Sequence, residues 1–391
     1  MIIRSIISFV CTGAVAISIC LSASCTRDVR NEERAEVEKP SGLIRYAKGF
    51  RLDDRGDYHL LRIFSPFQPG DTVQYILLKK TAPVPGGFNP EQIIRTPINS
   101  IAVTSSLHVG AVDQLEAWNN LAAVGDGSQV YSARIRDRIA AGSIREIQKG
   151  GQINQESVID LHPDVLMVTG SPDAGHDAYA GIQASGIPVI VNSEWMETSP
   201  LGRAEWIKLM AVLFDKLNFA QHQFALVASN YERLAEKVRS APGSRPKVLL
   251  GNEFQGTWHM PGGKSFMAAL LKDAGADYPW KDNDQTGGIP LAFESVYPVA
   301  LEADAWLNIF LPATDMGKAA LLSADPRYQA FKPVQNNRLY SFNGRLAENG
   351  ANDYWESSAY RPDLLLADYV HILHPDVLSP HALYYCNELK P

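Results

Sequence analysis

From residue 97 onward, short apolar runs alternate with stretches in which apolar positions recur every three or four residues. Runs of the first kind at 98–104, 121–124, 164–169 and 188–192 read as strands, and 110–118, 134–141, 155–161 and 174–184 between them read as helices. The theme returns later, with strands at 247–250, 305–310 and 338–341 and helices at 265–274, 293–301 and 361–371. Short apolar strands separated by helices imply parallel sheets covered on both faces. Between the two sets lies 203–240, with no Pro or Gly and with Trp206, Leu209, Met210, Leu213, Phe214, Leu217, Phe224, Val227, Tyr231, Leu234 and Val238 at helical spacing. Pro242, Gly243 and Pro246 end it.

One helix of that length would extend roughly 55 Å at about 1.5 Å per residue, more than a crossover within one sheet needs. Its charges, among them Glu205, Lys208, Asp215, Lys216, Glu232 and Lys237, exclude a membrane span, and no repeated heptad marks a coiled coil. A long core helix within a single domain is one reading. The other, which the strand-helix patterns on both sides support, is a rigid strut between two lobes. The expectation is therefore an α/β protein of two Rossmann-like lobes, 43–202 and 241–391, joined by one long helix, 203–240. Residues 58–64 and 73–78 are rich in aromatic and branched residues and are separated by Pro66, Pro69, Gly70 and Asp71, which predicts a β-hairpin extension on the first lobe.

The N-terminus changes the picture. Arg4, a long apolar run and small residues before Cys25 form a secretory signal over 1–25. Its ending, Leu21-Ser22-Ala23-Ser24-Cys25, resembles a bacterial lipobox, which would make Cys25 the lipidated first residue of the mature chain. A plain cleaved signal or an uncleaved anchor are the alternatives. Residues 26–42 are charged and nearly devoid of large apolar groups, as in a tether. After Cys25 only Cys386 remains, so the mature chain has no intramolecular disulfide and no cysteine-based metal site. A net charge of −7 over 391 residues gives no support for nucleic-acid binding.

In open parallel sheets, ligands sit outside the carboxyl ends of the strands. Those ends carry Ser105, Ser106, His108, Tyr131 and Trp195, then Trp258 and His259 in the second half. The segment 349–356, with Tyr354 and Trp355, and the basic Arg345 and Lys264 complete the candidates. Large rings offer broad apolar contact at little entropic loss, although each Trp taken singly also suits core packing. His108, His176 and His259 are the histidines open to direct metal coordination; His162 and His374 sit in His-Pro-Asp turns, and no His-rich loop exists. Pro261-Gly262-Gly263-Lys264-Ser265 has phosphate-loop flavour without the full GxxxxGK[ST] pattern. No nucleophile elbow or other catalytic arrangement is present in the sequence, so no catalytic residue, resident metal or cofactor is assigned.

Four stretches carry a resemblance: GQINQESVIDLHPDVLMVTG, GIPVIVNSEWMETSPLGRAEWIKLMAVLF, WHMPGGKSFMAALLKDAGADY and IPLAFESVYPVALEADAWLN. Their order and spacing, from about Pro97 to Pro375, resemble class III substrate-binding proteins of ABC importers, the iron-siderophore, haem and cobalamin receptors. That resemblance implies a lipid-anchored, periplasmic or cell-surface monomer that carries an iron complex to a permease dimer with its ATPase. It also implies that Glu156 and Glu294, one per lobe, dock on the permease. Each glutamate equally suits the first turn of a helix, where the dipole stabilises a carboxylate. A cobalamin receptor of the same family is the first alternative. A chelatase-like enzyme of paired α/β lobes and an adhesin-like lipoprotein are alternatives of other classes.

Overall fold

The computed structural model describes residues 42–67, 70–172, 178–311 and 317–390. The signal segment with Cys25, the tether up to residue 41, and His176 lie outside the described residues. Among the described residues no helix is long and apolar enough to cross a membrane.

The first sheet runs antiparallel through Phe50–Asp54, Tyr58–Phe64 and Thr72–Lys79 and closes with Ile93–Thr96, parallel to its neighbour. The expected hairpin is therefore the centre of a four-stranded sheet. Its pleat alternates as the sequence does: Leu61 and Ile63 are buried while Leu60 and Arg62 are not. The second sheet is all parallel, with Ile101–Val103 between Val165–Thr169 and Leu121–Val124, and Val189–Asn192 and Arg145–Glu146 at the edges. In the second half, Val248–Leu250, Ala305–Ile309 and Leu339–Ser341 pair in parallel, and Asn387–Glu388 adds antiparallel at the edge. Glu253–Phe254, Thr257–Pro261 and Gly288–Leu291 make a separate antiparallel sheet. The α/β architecture in two lobes is as the hydrophobic pattern indicated.

The strut is not one helix. It is three in succession, Pro200–Glu205, Ile207–Leu213 and Leu217–Ser240. The second break falls at Asp215, whose φ of 58° is left-handed. Asp tolerates that region better than most residues, so a helix can end there with neither Gly nor Pro to signal it. Residues Trp206 to Phe214 are buried in the core of the first lobe, and Phe224, Ala228, Tyr231, Ala235 and Val238 in that of the second. The connection thus serves both cores: Ile207–Leu213 packs in the first, Leu217–Ser240 mainly in the second, and Pro200–Glu205 joins the second through Leu201 and Ala204.

Two buried carboxylates fasten the chain where it enters the fold. Glu205 accepts from the backbone N–H groups of Arg45, Tyr46 and Ala47, and Glu197 from those of Lys48 and Gly49 and from the Trp206 indole.

Candidate functional site

A cavity of about 930 Å³ opens between the carboxyl ends of the two main parallel sheets. Ser105 and Ser106 reach it from the end of Ile101–Val103, Gly170 from Val165–Thr169, and Glu194 and Trp195 from Val189–Asn192. From the other side come Phe310, next after Ala305–Ile309, then Asn343 after Leu339–Ser341, and the segment 349–352 with Trp355. Parallel strands bring their ends to one edge, so a cleft at this edge follows from the topology.

Three rings dominate the walls. Phe310 is 55% exposed and Trp355 52% exposed, unusual for residues of their size. Trp355 stands edge-on to Phe342 and Tyr354, at 5.2 and 5.0 Å between centroids. Trp195 is half-buried, donates its indole N–H to the Gly170 carbonyl at 3.0 Å and leans on Phe67. At the floor, Arg203 pairs with the buried Glu194 at 3.3 Å, and Glu194 Oε2 and Arg203 Nε have no partner among the described residues. Burial raises the Glu194 pKa, opposed by the charge and hydrogen bond of Arg203. Ser105 caps the helix Ser106–Gln114 by accepting from the Leu107 N–H.

The remaining sequence candidates lie elsewhere. Trp258 is fully buried, donates to the Leu250 carbonyl at 2.7 Å and stacks on Trp306, so it is a core residue and not a wall of the cleft. The alternation of Thr257–Pro261 puts Trp258 and Met260 inside and His259 outside on the solvent face, away from the cavity. His108 is fully buried with both ring nitrogens unpartnered, which removes it from the ligand set. Of the histidines open to metal coordination, His108 and His259 are therefore not brought together, His176 lies outside the described residues, and among the described residues no three His, Cys, Asp or Glu gather as metal ligands. Tyr354 is buried and stacked on Phe342 at 4.7 Å.

Tyr131 and Arg345 line a different cavity of about 810 Å³, where Arg345 pairs with Asp353 at 2.6 Å and lies 5.5 Å from the Tyr131 ring centre. Lys264 is exposed and paired with Asp284. Ser105, Ser106, Trp195 and Trp355 are the candidates that the cleft brings together. Phe310 and the Glu194–Arg203 pair escaped sequence reading; the position of Phe310 one residue beyond a strand end was the available signal.

A clasp closes one side of the cleft. The Glu356 carboxylate accepts from the N–H groups of Tyr131 and Ser132 at 2.6 and 3.0 Å, and the Asn349 amide donates to the Ser128 carbonyl at 3.2 Å. Gly110 is required beneath it, because a Cβ there would lie 1.9 Å from the Glu356 carbonyl oxygen. Glu156 and Glu294 are exposed in the first turns of Gln155–Leu161 and Phe293–Ala300, and neither makes a hydrogen bond or ion pair among the described residues.

Replacing Trp355 and Phe310 together by Ala is expected to leave the melting temperature within a few degrees of wild type, because both side chains are more than half exposed. Ligand affinity should fall about 100-fold, the loss of two ring contacts at roughly 1–2 kcal/mol each. Calorimetry on the folded variant checks it; unchanged affinity would remove the rings from the site.

The comparisons bear on the fold and the family. An uncharacterized lipoprotein of Methanocaldococcus jannaschii is 25% identical over 374 residues, covering 88% of this chain and 84% of its own. A periplasmic heme binding protein from Pseudomonas aeruginosa superposes with a TM-score of 0.57 at 18% identity, over 75% of this chain and 99% of that one. A periplasmic heme binding protein of Vibrio cholerae does so with a TM-score of 0.52 at 22% identity, over 68% and 99%. At such identities these structures establish a shared fold. The periplasmic binding protein family itself matches residues 101–346, more than half of the sequence, and the chain belongs to that family.

Proposed function

We propose that the protein is the substrate-binding lipoprotein of an ABC importer, which captures an iron complex in the interlobe cleft and delivers it to a membrane permease. The observation that carries this reading is the cleft itself: about 930 Å³ at the strand ends, walled by Trp195, Phe310 and Trp355. A volume near the top of the small-molecule range, with exposed rings and a few polar groups, suits a bulky chelate or macrocycle. A bare ion would need a cage of several His or carboxylate ligands. The haem-binding proteins of the same fold show that this architecture can hold a bulky metal complex, and the lipoprotein relative supports anchoring. Acyl chains on Cys25 would hold the protein at a membrane surface at about 0.8 kcal/mol per buried CH₂. The reading is binding without catalysis. A corrinoid is the second reading, favoured by a polar cavity that adjoins the aromatic one.

The test is titration of residues 26–391 with ferric siderophores, haem and cobalamin, followed by calorimetry and absorbance. Saturable one-to-one binding of an iron complex with Kd below about 1 μM is expected. Cobalamin binding alone would transfer the function to corrinoid uptake, and silence across the panel would overturn it.

The free carboxylates of Glu156 and Glu294 serve as the permease contacts in this reading. Charge pairs at such interfaces chiefly set orientation and association rate. The double variant Glu156→Lys, Glu294→Lys is expected to bind ligand as wild type does while cellular uptake drops about tenfold or more. Unchanged uptake would dismiss the docking role.

A further inference from the structure

The cleft has a second compartment of about 630 Å³, and Ser106, Gln129 and Thr169 line both. Its other polar walls are carboxamides and hydroxyls, with Gln148, Gln152 and Gln155 foremost, and no charged side chain is among its described lining residues. The side-chain amides of Gln129, Gln148 and Gln152 make no hydrogen bond within the described chain, and an amide offers two donors and an acceptor to whatever enters. In the aromatic compartment the one cationic side chain among the described lining residues is Arg203, which is paired with Glu194 at 3.3 Å. The segments 173–177 and 312–316, which adjoin lining residues in sequence, contain neither Lys nor Arg.

Among the described residues such a cleft offers an anionic ligand one cation, Arg203, and that cation is paired with Glu194. Taking an unpaired anion out of water is strongly unfavourable, and sites that hold carboxylate or catecholate anions use Arg or Lys for that reason. Free carboxamides and hydroxyls instead match neutral groups that both donate and accept, such as amides and hydroxamates.

We infer that the ligand is an electroneutral complex with an apolar face and a rim of amide-like groups, the face held by Trp195, Phe310 and Trp355 and the rim by the glutamine compartment. The inference rests on the capture reading and narrows its ligand class: neutral ferric trihydroxamates and corrinoids are accepted, trianionic ferric tricatecholates and the dipropionate haem are rejected.

Calorimetry of residues 26–391 against one member of each of these four classes tests it. At least one of the two neutral complexes should bind about 100-fold or more tighter than either anionic one, with little dependence on salt. Gln148→Ala should weaken the neutral complex about tenfold at an unchanged melting temperature. Gln148→Lys should raise affinity for the tricatecholate about tenfold and make it salt-sensitive. An anionic complex bound as tightly as the neutral ones would overturn the inference and leave the capture reading standing. Silence from all four would overturn both.

Discussion

Thermal melts across pH 3 to 9 should show a plateau of stability between about pH 4.5 and 6.5 and a fall on either side, set by two buried groups. His108 is fully buried without a partner, and burial lowers its pKa from 6.5 to about 3. The unfolded chain takes up this proton below 6.5 and the folded chain does not until about 3, so the associated stability is complete above 6.5 and lost as pH falls. Glu356 shifts the other way, from 4.5 to about 8. Burial is the largest cause, outweighing the N–H groups of Tyr131 and Ser132, and the nearby Asp113 and Asp353 add to it.

Its stability is complete below 4.5, where both states hold the proton, and is lost as pH rises through 8. Between the two ordinary values one proton sits on His108 in the unfolded chain and one on Glu356 in the folded chain, so the slopes cancel. Outside them each limb removes on the order of 2 kcal/mol, at about 1.4 kcal/mol per pH unit. Glu356→Gln should flatten the alkaline limb, though not abolish it, since Glu194 shifts in the same direction. His108→Leu should reduce the acid limb without abolishing it, since the pKa values of His59 and of the carboxyls of Asp304 and Asp325 are lowered as well. An alkaline limb equally steep in Glu356→Gln would show that the clasp carboxyl is already ionised at neutral pH.

Glu205→Ala is expected to destabilise the fold by about 3–5 kcal/mol. Glu205 is fully buried, and it accepts from the N–H groups of Arg45, Tyr46 and Ala47 at 3.0, 2.6 and 2.9 Å. It also holds the buried Lys208 ammonium at 2.6 Å. Removing it strands three donors and leaves the ammonium with the Leu43 carbonyl at 2.8 Å and the face of the Phe224 ring, but no counter-charge. Urea unfolding measures the loss, and a melting point lower by roughly 5 °C is the corresponding thermal result. Glu205→Gln should do less damage because one acceptor remains, and Glu205→Met with Lys208→Met should recover much of the loss, because no charge is then left unpaired. A deficit under about 1 kcal/mol in Glu205→Ala would mean that the entry segment is not held by this carboxylate.

The elements of the fold were readable because burial imposes periods on the chain. Leu61 and Ile63 mark an alternating strand, Ile101–Val103 and Val165–Thr169 buried parallel ones, and Phe224 to Val238 a helix with one apolar face. The break at Asp215 was not readable, since an Asp in the left-handed region leaves no mark on an apolar pattern. The site divided in the same way. Position after a strand end identified Ser105, Ser106 and Trp195, whereas the same reasoning placed Trp258 beside them although it faces the core.

Local spacing along the chain therefore determined most of the parallel strands and helices, their α/β order and the edge at which a ligand would sit, but not the breaks in the strut or the small antiparallel sheet of the second half. Each follows from contacts of a residue with near neighbours and from the need to bury every third or every second side chain. Only the tertiary structure decided which face of Thr257–Pro261 turned inward. It also separated Tyr131 and Arg345 from the aromatic cleft, joined Glu194 to Arg203, and brought Glu356 to Tyr131 and Ser132 across the lobes. Those outcomes depend on partners distant in sequence, whose identity a one-dimensional pattern does not contain.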